Sequence, residues 1–208
     1  MSSRKVWNYW ASRYESLWVQ KYSLKPTREC VIKQLEPVER VNKVTELLDI
    51  GCGVGELIYD IGQAFGDENI NITGLDYSEE MVKAAGIKNP KSTFINDDVY
   101  AVESIESKYS VITCTHSLPY YKDQQRAVEG FHGALEENGH LIIAFASQNS
   151  WYDKLCMFFV KFTTGFAKYP SIEKFKSMTE EIFSVEDIVV IRERKYMPTI
   201  AVFKLRKK

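Results

Sequence analysis

The 208-residue sequence lacks the features of an exported or membrane-embedded protein. Its first residues, MSSRKVWNYWASRYESLW, mix charges with aromatic rings, whereas a secretory signal needs an uninterrupted apolar segment. Its most apolar later stretch, LCMFFVKF at 155–162, is interrupted by Lys161 and is far shorter than the roughly 20 residues that cross a bilayer. We therefore expect a cytoplasmic protein with no membrane partner.

Clustered cysteines and an excess of basic residues are also missing. The four cysteines are scattered, with no C-x-x-C pair and no histidine spaced to share a zinc ion with them. Lys and Arg number 27 against 28 Asp and Glu, so the formal net charge is −1 and no basic stripe marks a nucleic-acid surface. These absences predict reduced thiols, no metal site and no nucleic-acid partner.

The chain contains no repeat, no low-complexity tract and no Gly/Ser linker, so we interpret residues 1–208 as one domain. Within it we expect a helical cap at 1–40, a core at 44–146, a lid and helix at 147–180, and a hairpin at 181–208. In the cap, Pro26 interrupts the helical spacing and separates two short helices.

Strand-like and helix-like patterns alternate through the core. Ser78 is predicted to cap one helix that stops at Gly86, and Asn138 is predicted to end a helical stripe that includes Leu135. Repeated strand–helix units predict a mostly parallel α/β sheet with right-handed crossovers. The buried-strand patterns are VTELLDI, INITGLD, STFI, YSVITC and GHLIIAFA.

The C-terminal part follows a different pattern. VEDIVVIRER and TIAVFKL are both rich in β-branched residues, and the segment KYMP between them is too short for a crossover helix. The two strands should therefore form an antiparallel hairpin at one edge of the sheet.

Gly51, Gly53 and Gly55 fill the turn between the first strand and its helix. In an open α/β sheet this turn borders the ligand site, and glycine permits a positive φ and a close approach to the main chain. Asp76 ends the next strand, roughly 20 residues on, where a carboxylate can accept both hydroxyls of a ribose. The combination indicates an adenosine-containing ligand but does not choose among NAD, FAD and S-adenosylmethionine.

The charge of the turn narrows that choice. Glu56 stands where the fingerprint G-x-G-x-x-G has its third glycine, and its carboxylate would repel a pyrophosphate. Asp49 adds a second negative charge just before the turn. The turn contains no Lys, Arg, Ser or Thr, so it is not a P-loop. An acidic turn favours a cationic ligand, such as a sulfonium that also carries an α-ammonium group.

With these motifs the sequence resembles the class I S-adenosylmethionine-dependent methyltransferases. ELLDIGCGVGEL is similar to their first motif, ITGLDYSEEMVKAA to the ribose-binding motif, and STFINDDVY to the acidic adenine segment. YSVITCTHSLPYY and LEENGHLIIAF are similar to the fourth and fifth strand motifs, in the family's order. The resemblance implies a Rossmann-like seven-stranded sheet ordered 3-2-1-4-5-7-6, with one antiparallel strand, helices on both faces and S-adenosyl-L-methionine as cofactor.

Carried over residue by residue, the resemblance implies a cofactor site at the ends of the first strands. The three glycines would cradle the methionine portion and the ribose, Asp49 would support the amino group, and Asp76 would bind the ribose hydroxyls. Tyr77 would lie against adenine or only cover the sheet edge, and either Asp97 or Asp98 would accept from the adenine amino group. The other implied cofactor contacts are Cys52, Met81, Val99 and Thr115.

The acceptor side of the site is less defined. His116, directly after the fourth strand, is the best candidate for a general base, with Tyr120 and Tyr121 as pocket lining or hydrogen-bond donors. His116 can instead cap the loop or pack beneath the cofactor. Aromatic segments at 6–18 and 151–170 can form a water-excluding lid or only cover the core.

We therefore predict a methyltransferase that acts by in-line displacement on a small-molecule acceptor, as a monomer or a homodimer. A nicotinamide-dependent oxidoreductase is an alternative that conflicts with the glycine spacing and with Glu56. A non-catalytic S-adenosylmethionine-binding module, which retains the cofactor pocket without turnover, is a second alternative.

Overall fold

A computed structural model gives the fold of most of the chain. The aromatic segment at 6–18 and most of the predicted lid lie outside the described residues. The division of the chain into cap, core, lid and hairpin therefore stays a prediction. The structure describes residues 23–39, 45–66, 69–148, 167–192, 194 and 197–208.

Helices and strands alternate along the described residues. The helices are α1 Lys25–Glu39, α2 Glu56–Phe65, α3 Glu79–Lys88, α4 Gln124–Ala134 and α5 Ile172–Thr179. The strands are β1 Thr45–Ile50, β2 Ile70–Asp76, β3 Thr93–Asn96, β4 Tyr109–Thr115, β5 Leu135–Ala146, β6 Phe183–Ile191 and β7 Ile200–Lys207. Short 3-10 helices, Val99–Ser104 and Leu118–Tyr120, follow β3 and β4. None of the described helices combines the length and the apolar character needed to cross a bilayer.

The seven strands form one sheet in the order β3-β2-β1-β4-β5-β7-β6. β1 pairs in parallel with β2 and β4, and the pairs β2–β3 and β4–β5 are also parallel. β7 runs antiparallel to both β5 and β6, which makes β6 the edge strand of a hairpin. The predicted strand order and the predicted hairpin are both confirmed.

Buried side chains line both faces of the sheet because adjacent residues of a strand point in opposite directions. In β1, Leu47 packs in a cluster with Val31 of α1 and Ile61 of α2, whereas Leu48 packs in the opposite cluster with Phe131 of α4 and Phe175 of α5. All six side chains are fully buried. Helices therefore cover both faces, as predicted, and α1 and α2 share one of them.

Two helix ends differ from their predicted positions. Ser78 caps α3 by accepting from Met81 N, as expected, but α3 continues through Gly86 to Lys88. Gly86 keeps a negative φ, so it does not act as a left-handed stop. The helix ends instead at Asn89, whose Nδ2 donates to Gly55 O at 3.0 Å and to Ala85 O at 3.2 Å.

The helical stripe that was predicted to run to Asn138 ends at Ala134. Leu135 already belongs to β5 and pairs with Tyr109, and the register then shifts before His140 pairs with Val111. The residues between them form an irregularity that includes Asn138 in the left-handed region, with φ at 64°. The Asn-Gly signal therefore marks a kink inside a strand.

Asn89 connects α3 to the glycine turn, so its loss should destabilise the fold. We expect Asn89→Ala to lower the free energy of unfolding by about 1–3 kcal/mol, because the carbonyl of Gly55 loses a buried donor. Urea denaturation measures this change. Asn71→Ala, which removes an exposed amide bonded to Glu46, is the matched control and should stay within about 0.5 kcal/mol of the parent protein. Equal losses in the two variants would contradict the assignment.

Candidate active site

The turn between β1 and α2 is built from backbone that favours glycine. Gly51, Gly53 and Gly55 have φ values of 72°, 54° and 78°, all in the left-handed region. The amides of Gly51 and Cys52 both donate to Leu75 O, at 2.7 and 3.1 Å. The turn is thus fixed to the end of β2, as expected for the first strand-to-helix turn of this sheet.

The three glycines do not serve the same purpose. A Cβ at Gly51 would lie 2.5 Å from Ser117 Cβ, and a Cβ at Gly55 would lie 2.5 Å from Asn89 Nδ2. A Cβ at Gly53 would meet nothing within 4 Å. Gly51 and Gly55 therefore let neighbouring loops pack against the turn, and Gly53 is the position whose missing side chain leaves room for a ligand.

Asp76 ends β2 and directs its carboxylate to the glycine turn. Its Oδ2 accepts from Gly53 N and its Oδ1 accepts from Ser78 N, each at 2.9 Å. Burial raises the pKa of Asp76, and the two backbone donors oppose that rise. Each carboxylate oxygen has a further lone pair, so both can still accept a hydrogen bond from a ligand hydroxyl.

Asp49 is a second buried acid, two residues before Gly51. Its Oδ1 accepts from Thr113 Oγ1 of β4 at 2.8 Å. Burial is the main reason that the pKa of Asp49 rises to about 7, the Thr113 bond opposes the rise, and the charge of Asp76 adds to it. Among the residues that the structure describes, neither acid has a basic side chain within salt-bridge distance, so a cationic ligand would relieve both.

Glu56 contributes less negative charge than its position in the sequence suggested. Its carboxylate pairs with Lys88 of α3 and lies 3.7 Å from Arg28 Nη2 of α1. Arg28 also donates from Nε to Asp60 Oδ2 at 2.6 Å. The expectation that Glu56 makes the turn acidic is therefore wrong, since Arg28 and Lys88 compensate it. The uncompensated acids are Asp49 and Asp76.

A small cavity lies between the start of α1, the glycine turn and the end of β4. The predicted site residues on its wall are Gly51, Cys52, Gly53, Thr115 and His116. The Cys52 thiol is buried, and burial raises its pKa well above the usual value, which favours packing over reactivity. The remaining lining consists of Leu24, Arg28, Val54, Glu56 and Leu57.

His116 is held by contacts to two other elements. Its backbone N donates to Ala144 O of β5 at 2.7 Å, and its φ is 58°. Its ring Nε2 lies 3.0 Å from Thr27 Oγ1 of α1. Burial first, and the charge of Arg28 second, lower the pKa of His116 to about 4. The ring is therefore neutral at pH 7 and can accept a proton.

Ser117 joins the loop after β4 to the glycine turn. Its Oγ donates to Ile50 O at 3.1 Å and accepts from Tyr121 OH at 2.8 Å, and Cys114 Sγ lies 3.1 Å from the same oxygen. Tyr121 thus donates its buried hydroxyl within the protein, and it does not line this cavity. Tyr120 is half-buried, with its hydroxyl 3.4 Å from Tyr169 OH, and is not on the cavity wall.

The residues predicted to contact adenine lie at the carboxyl ends of β2 and β3, away from that cavity wall. Asp98 Oδ1 accepts from Tyr100 N at 3.2 Å and so caps a 3-10 helix, whereas Asp97 is exposed. Tyr77 is half-buried beside Asp76. Val99 and Met81 are buried in the protein, at 5% and 2% exposure.

Sequence reasoning missed Thr27 and Arg28, which bring α1 into the site. In this N-terminal part, only the aromatic residues at 6–18 were considered as part of the site. One signal was present: Lys25 and Arg28 stand in the first turn of a helix with no acidic residue there, where basic side chains oppose the helix dipole. Such a placement indicates that a tertiary partner compensates the charge, as Asp60 does for Arg28.

Comparison with known proteins agrees with this geometry. The structure of magnesium protoporphyrin IX methyltransferase from Synechocystis with bound SAM aligns with a TM-score of 0.70 at 19% identity, covering 92% of this chain and 84% of that one. Residues 48–141 match a family model described as a methyltransferase domain. Residues 48–141 are thus similar to a methyltransferase domain. The predicted fold is confirmed, and the match supports the predicted resemblance to class I methyltransferases.

Curated relatives are similar to part of this chain. A carboxy-S-adenosyl-L-methionine synthase of Methylococcus capsulatus is 28% identical over 108 residues, covering 48% of this chain and 44% of that protein. A ubiquinone biosynthesis O-methyltransferase of Hydrogenovibrio crunogenus is 26% identical over 133 residues, covering 62% and 52%. The chain thus spans about half the length of these curated relatives.

The space around each glycine predicts how alanine will be tolerated. We expect Gly53→Ala to lower the free energy of unfolding by about 1–2 kcal/mol, the usual cost of the left-handed conformation. Gly51→Ala should cost about 1–3 kcal/mol more, because its Cβ would overlap Ser117. Chemical denaturation of both variants measures the difference. Equal losses would contradict the division of roles between the two glycines.

The raised pKa of Asp49 predicts a pH dependence of stability. A buried carboxyl with a pKa of about 7, against 3.8 for the ordinary group, stabilises the fold below about pH 4, and this contribution is lost as the pH rises through 7. Asp49→Asn should therefore gain stability relative to the parent protein as the pH increases from 5 to 8. Urea denaturation without ligand at both pH values tests this, and parallel pH profiles would contradict it.

Proposed function

We propose that this domain binds S-adenosylmethionine and transfers its methyl group to a small-molecule acceptor. The observation that carries the proposal is the open space at Gly53 beside two buried acids, Asp49 and Asp76, that have no basic partner among the described residues. A ligand with a sulfonium and an α-ammonium group supplies positive charge where burial makes negative charge unfavourable. A pyrophosphate would add negative charge at the same place.

The comparisons support this choice of cofactor. The Synechocystis methyltransferase structure contains bound SAM, and the fold of this chain follows it over most of both chains. The Hydrogenovibrio relative is named as an O-methyltransferase, and the Methylococcus relative as a synthase of a carboxylated S-adenosylmethionine. None of these three names refers to a nicotinamide-dependent enzyme.

The residues around the turn fit the parts of the cofactor. We assign the ribose hydroxyls to the remaining lone pairs of Asp76, because Gly53 N and Ser78 N already orient its carboxylate. Asp49 faces the amino group through its charge. We keep Tyr77 and one of the pair Asp97 and Asp98 for the adenine, with Val99 and Met81 as buried support behind them.

Much of the catalytic work is positioning, because the bound cofactor supplies a methyl group on a good leaving group. Cys52, Gly53, Thr115 and His116 all line the cavity. His116 is neutral at pH 7 and so can take a proton from the acceptor as the acceptor attacks. Tyr120 lies in the following loop and can line the acceptor pocket.

The low basicity of His116 limits the acceptor chemistry. A base with a pKa of about 4 cannot remove a proton from an alkylammonium group, whose pKa is near that of lysine, about 10. A hydroxyl proton becomes strongly acidic once the oxygen begins to bind the methyl carbon, so a weak base suffices there. We therefore favour a hydroxyl acceptor, or an amine that is already neutral, over a charged amine.

We further infer a cytoplasmic enzyme that acts on small molecules without nucleic-acid or membrane partners, as a monomer or a homodimer. The near-zero formal charge of −1 and the match of residues 48–141 to a methyltransferase domain support this proposal. Measured methyl transfer would distinguish this enzyme from a non-catalytic module that only binds S-adenosylmethionine.

The test is transfer of radiolabelled methyl from S-adenosylmethionine to a panel of phenols, alcohols, amines, thiols and carboxylic acids. Asp76→Ala should weaken cofactor binding by about 1–3 kcal/mol, since buried hydroxyls lose a charged acceptor. His116→Ala should bind the cofactor normally and lower kcat by about 10²- to 10⁴-fold.

His132→Ala is the matched control, because His132 packs edge-on against Phe183 away from the cavity and should leave kcat unchanged. Cofactor binding without transfer to any acceptor class would favour the non-catalytic module. Normal turnover by His116→Ala would exclude the base role while leaving the cofactor assignment intact.

A further inference from the structure

Thr27 of α1 is buried beside the candidate base. Its side chain has no solvent exposure, and its Oγ1 lies 3.0 Å from His116 Nε2. The two residues are far apart in the sequence, so the contact exists only because α1 packs over the end of β4. A buried hydroxyl in contact with a candidate catalytic ring can determine where that ring carries its proton.

The hydrogen of the Thr27 hydroxyl is already committed. Oγ1 donates to Ser23 O, one helical turn earlier, at 2.7 Å. A hydroxyl has a single hydrogen, so towards His116 the same oxygen can only accept. The short contact to Nε2 is therefore satisfied when Nε2 carries the proton of the neutral imidazole.

The other ring nitrogen is then the one with the lone pair. A neutral imidazole has one N–H donor and one acceptor nitrogen, and with the proton on Nε2 the acceptor is Nδ1. No side chain or backbone group in the described part of the chain hydrogen-bonds to Nδ1 of His116. His116 also lies on the wall of the cavity beside the glycine turn.

We propose that Thr27 is a positioning residue, which holds His116 in the Nε2–H tautomer so that Nδ1 receives the acceptor's proton. This inference rests on the proposed function. In the step, the acceptor oxygen bonds to the methyl carbon, the carbon–sulfur bond breaks and its electron pair stays on sulfur. The acceptor's proton passes to Nδ1, and the imidazolium keeps its Nε2–H bond to Thr27.

The position of Thr27 is fixed by the ion pairs of the next residue. Arg28 donates to Asp60 of α2 at 2.6 Å and lies 3.7 Å from Glu56, so this part of α1 is attached to the helix that follows the glycine turn. The Thr27 hydroxyl, which accepts from His116, and the turn that carries Gly53 therefore belong to one connected unit. The base is oriented relative to the ligand site through α1.

The tautomer can be measured without an acceptor. Two-bond proton–nitrogen correlation spectra of the ligand-free protein at pH 7 identify the protonated nitrogen of each imidazole, and His116→Ala assigns the His116 signals among the three histidines. We expect Nε2 to be protonated in the parent protein and in Thr27→Ser. Thr27→Val, which keeps the shape but removes the acceptor, should give a mixture of tautomers.

Activity then tests the consequence, using the acceptor that responds best in the panel. Thr27→Val should lower kcat about 5- to 50-fold with an unchanged cofactor affinity, and Thr27→Ser should restore most of the rate. Thr179→Val is the matched control, because Thr179 is equally buried and donates to the carbonyl one turn earlier, but among the described residues it hydrogen-bonds to no histidine. It should leave both kcat and the His116 spectrum unchanged.

The outcomes separate the two proposals. Protonation of Nδ1 in the parent protein, or identical spectra for Thr27→Val and the parent, would overturn the positioning role. An unchanged kcat in Thr27→Val together with a slow His116→Ala would also overturn it. Normal turnover by His116→Ala would instead remove the proposed base, even with the Nε2–H tautomer observed.

Discussion

The burial of two carboxylates at the ends of adjacent strands is the constraint on which the site depends. Burial raises the pKa of Asp49 in β1 and the pKa of Asp76 at the end of β2, and the charge of Asp76 raises the pKa of Asp49 further. No described basic group compensates the two acids. Thr113 and the amides of Gly53 and Ser78 hold both acids in place. A fold that retains such a pair gains most from a ligand that brings positive charge.

The elements around this pair form a rigid frame with one open position. Ser117 and Asn89 pack against Gly51 and Gly55 and hydrogen-bond to the backbone of the turn, which fixes its shape from both sides. Space remains at Gly53, and the preorganised turn therefore needs little rearrangement to receive a ligand. Helix α1 completes the frame through the ion pairs of Arg28, which also place the candidate base.

Local patterns sufficed to predict much of this fold. The alternation of apolar strands with helical stripes predicted a mostly parallel sheet, and the short link before β7 predicted the hairpin, whereas the order of the seven strands came from the family resemblance. The Ser78 cap was predicted from its position alone. Long-range contacts were not predictable in this way. The compensation of Glu56 by Arg28 and Lys88, and the packing of Ser117 on Gly51, join segments that are distant in the sequence, where neither periodicity nor spacing gives a signal.

The central claim is that buried acids beside an open glycine select a cationic adenosyl ligand. Calorimetric titration of the purified protein with S-adenosylmethionine and with NADH, in the same buffer above pH 7, tests it most directly. The account predicts saturable binding of S-adenosylmethionine and no heat of binding for NADH. Binding of NADH without binding of S-adenosylmethionine would contradict it, although the seven-stranded fold would stand.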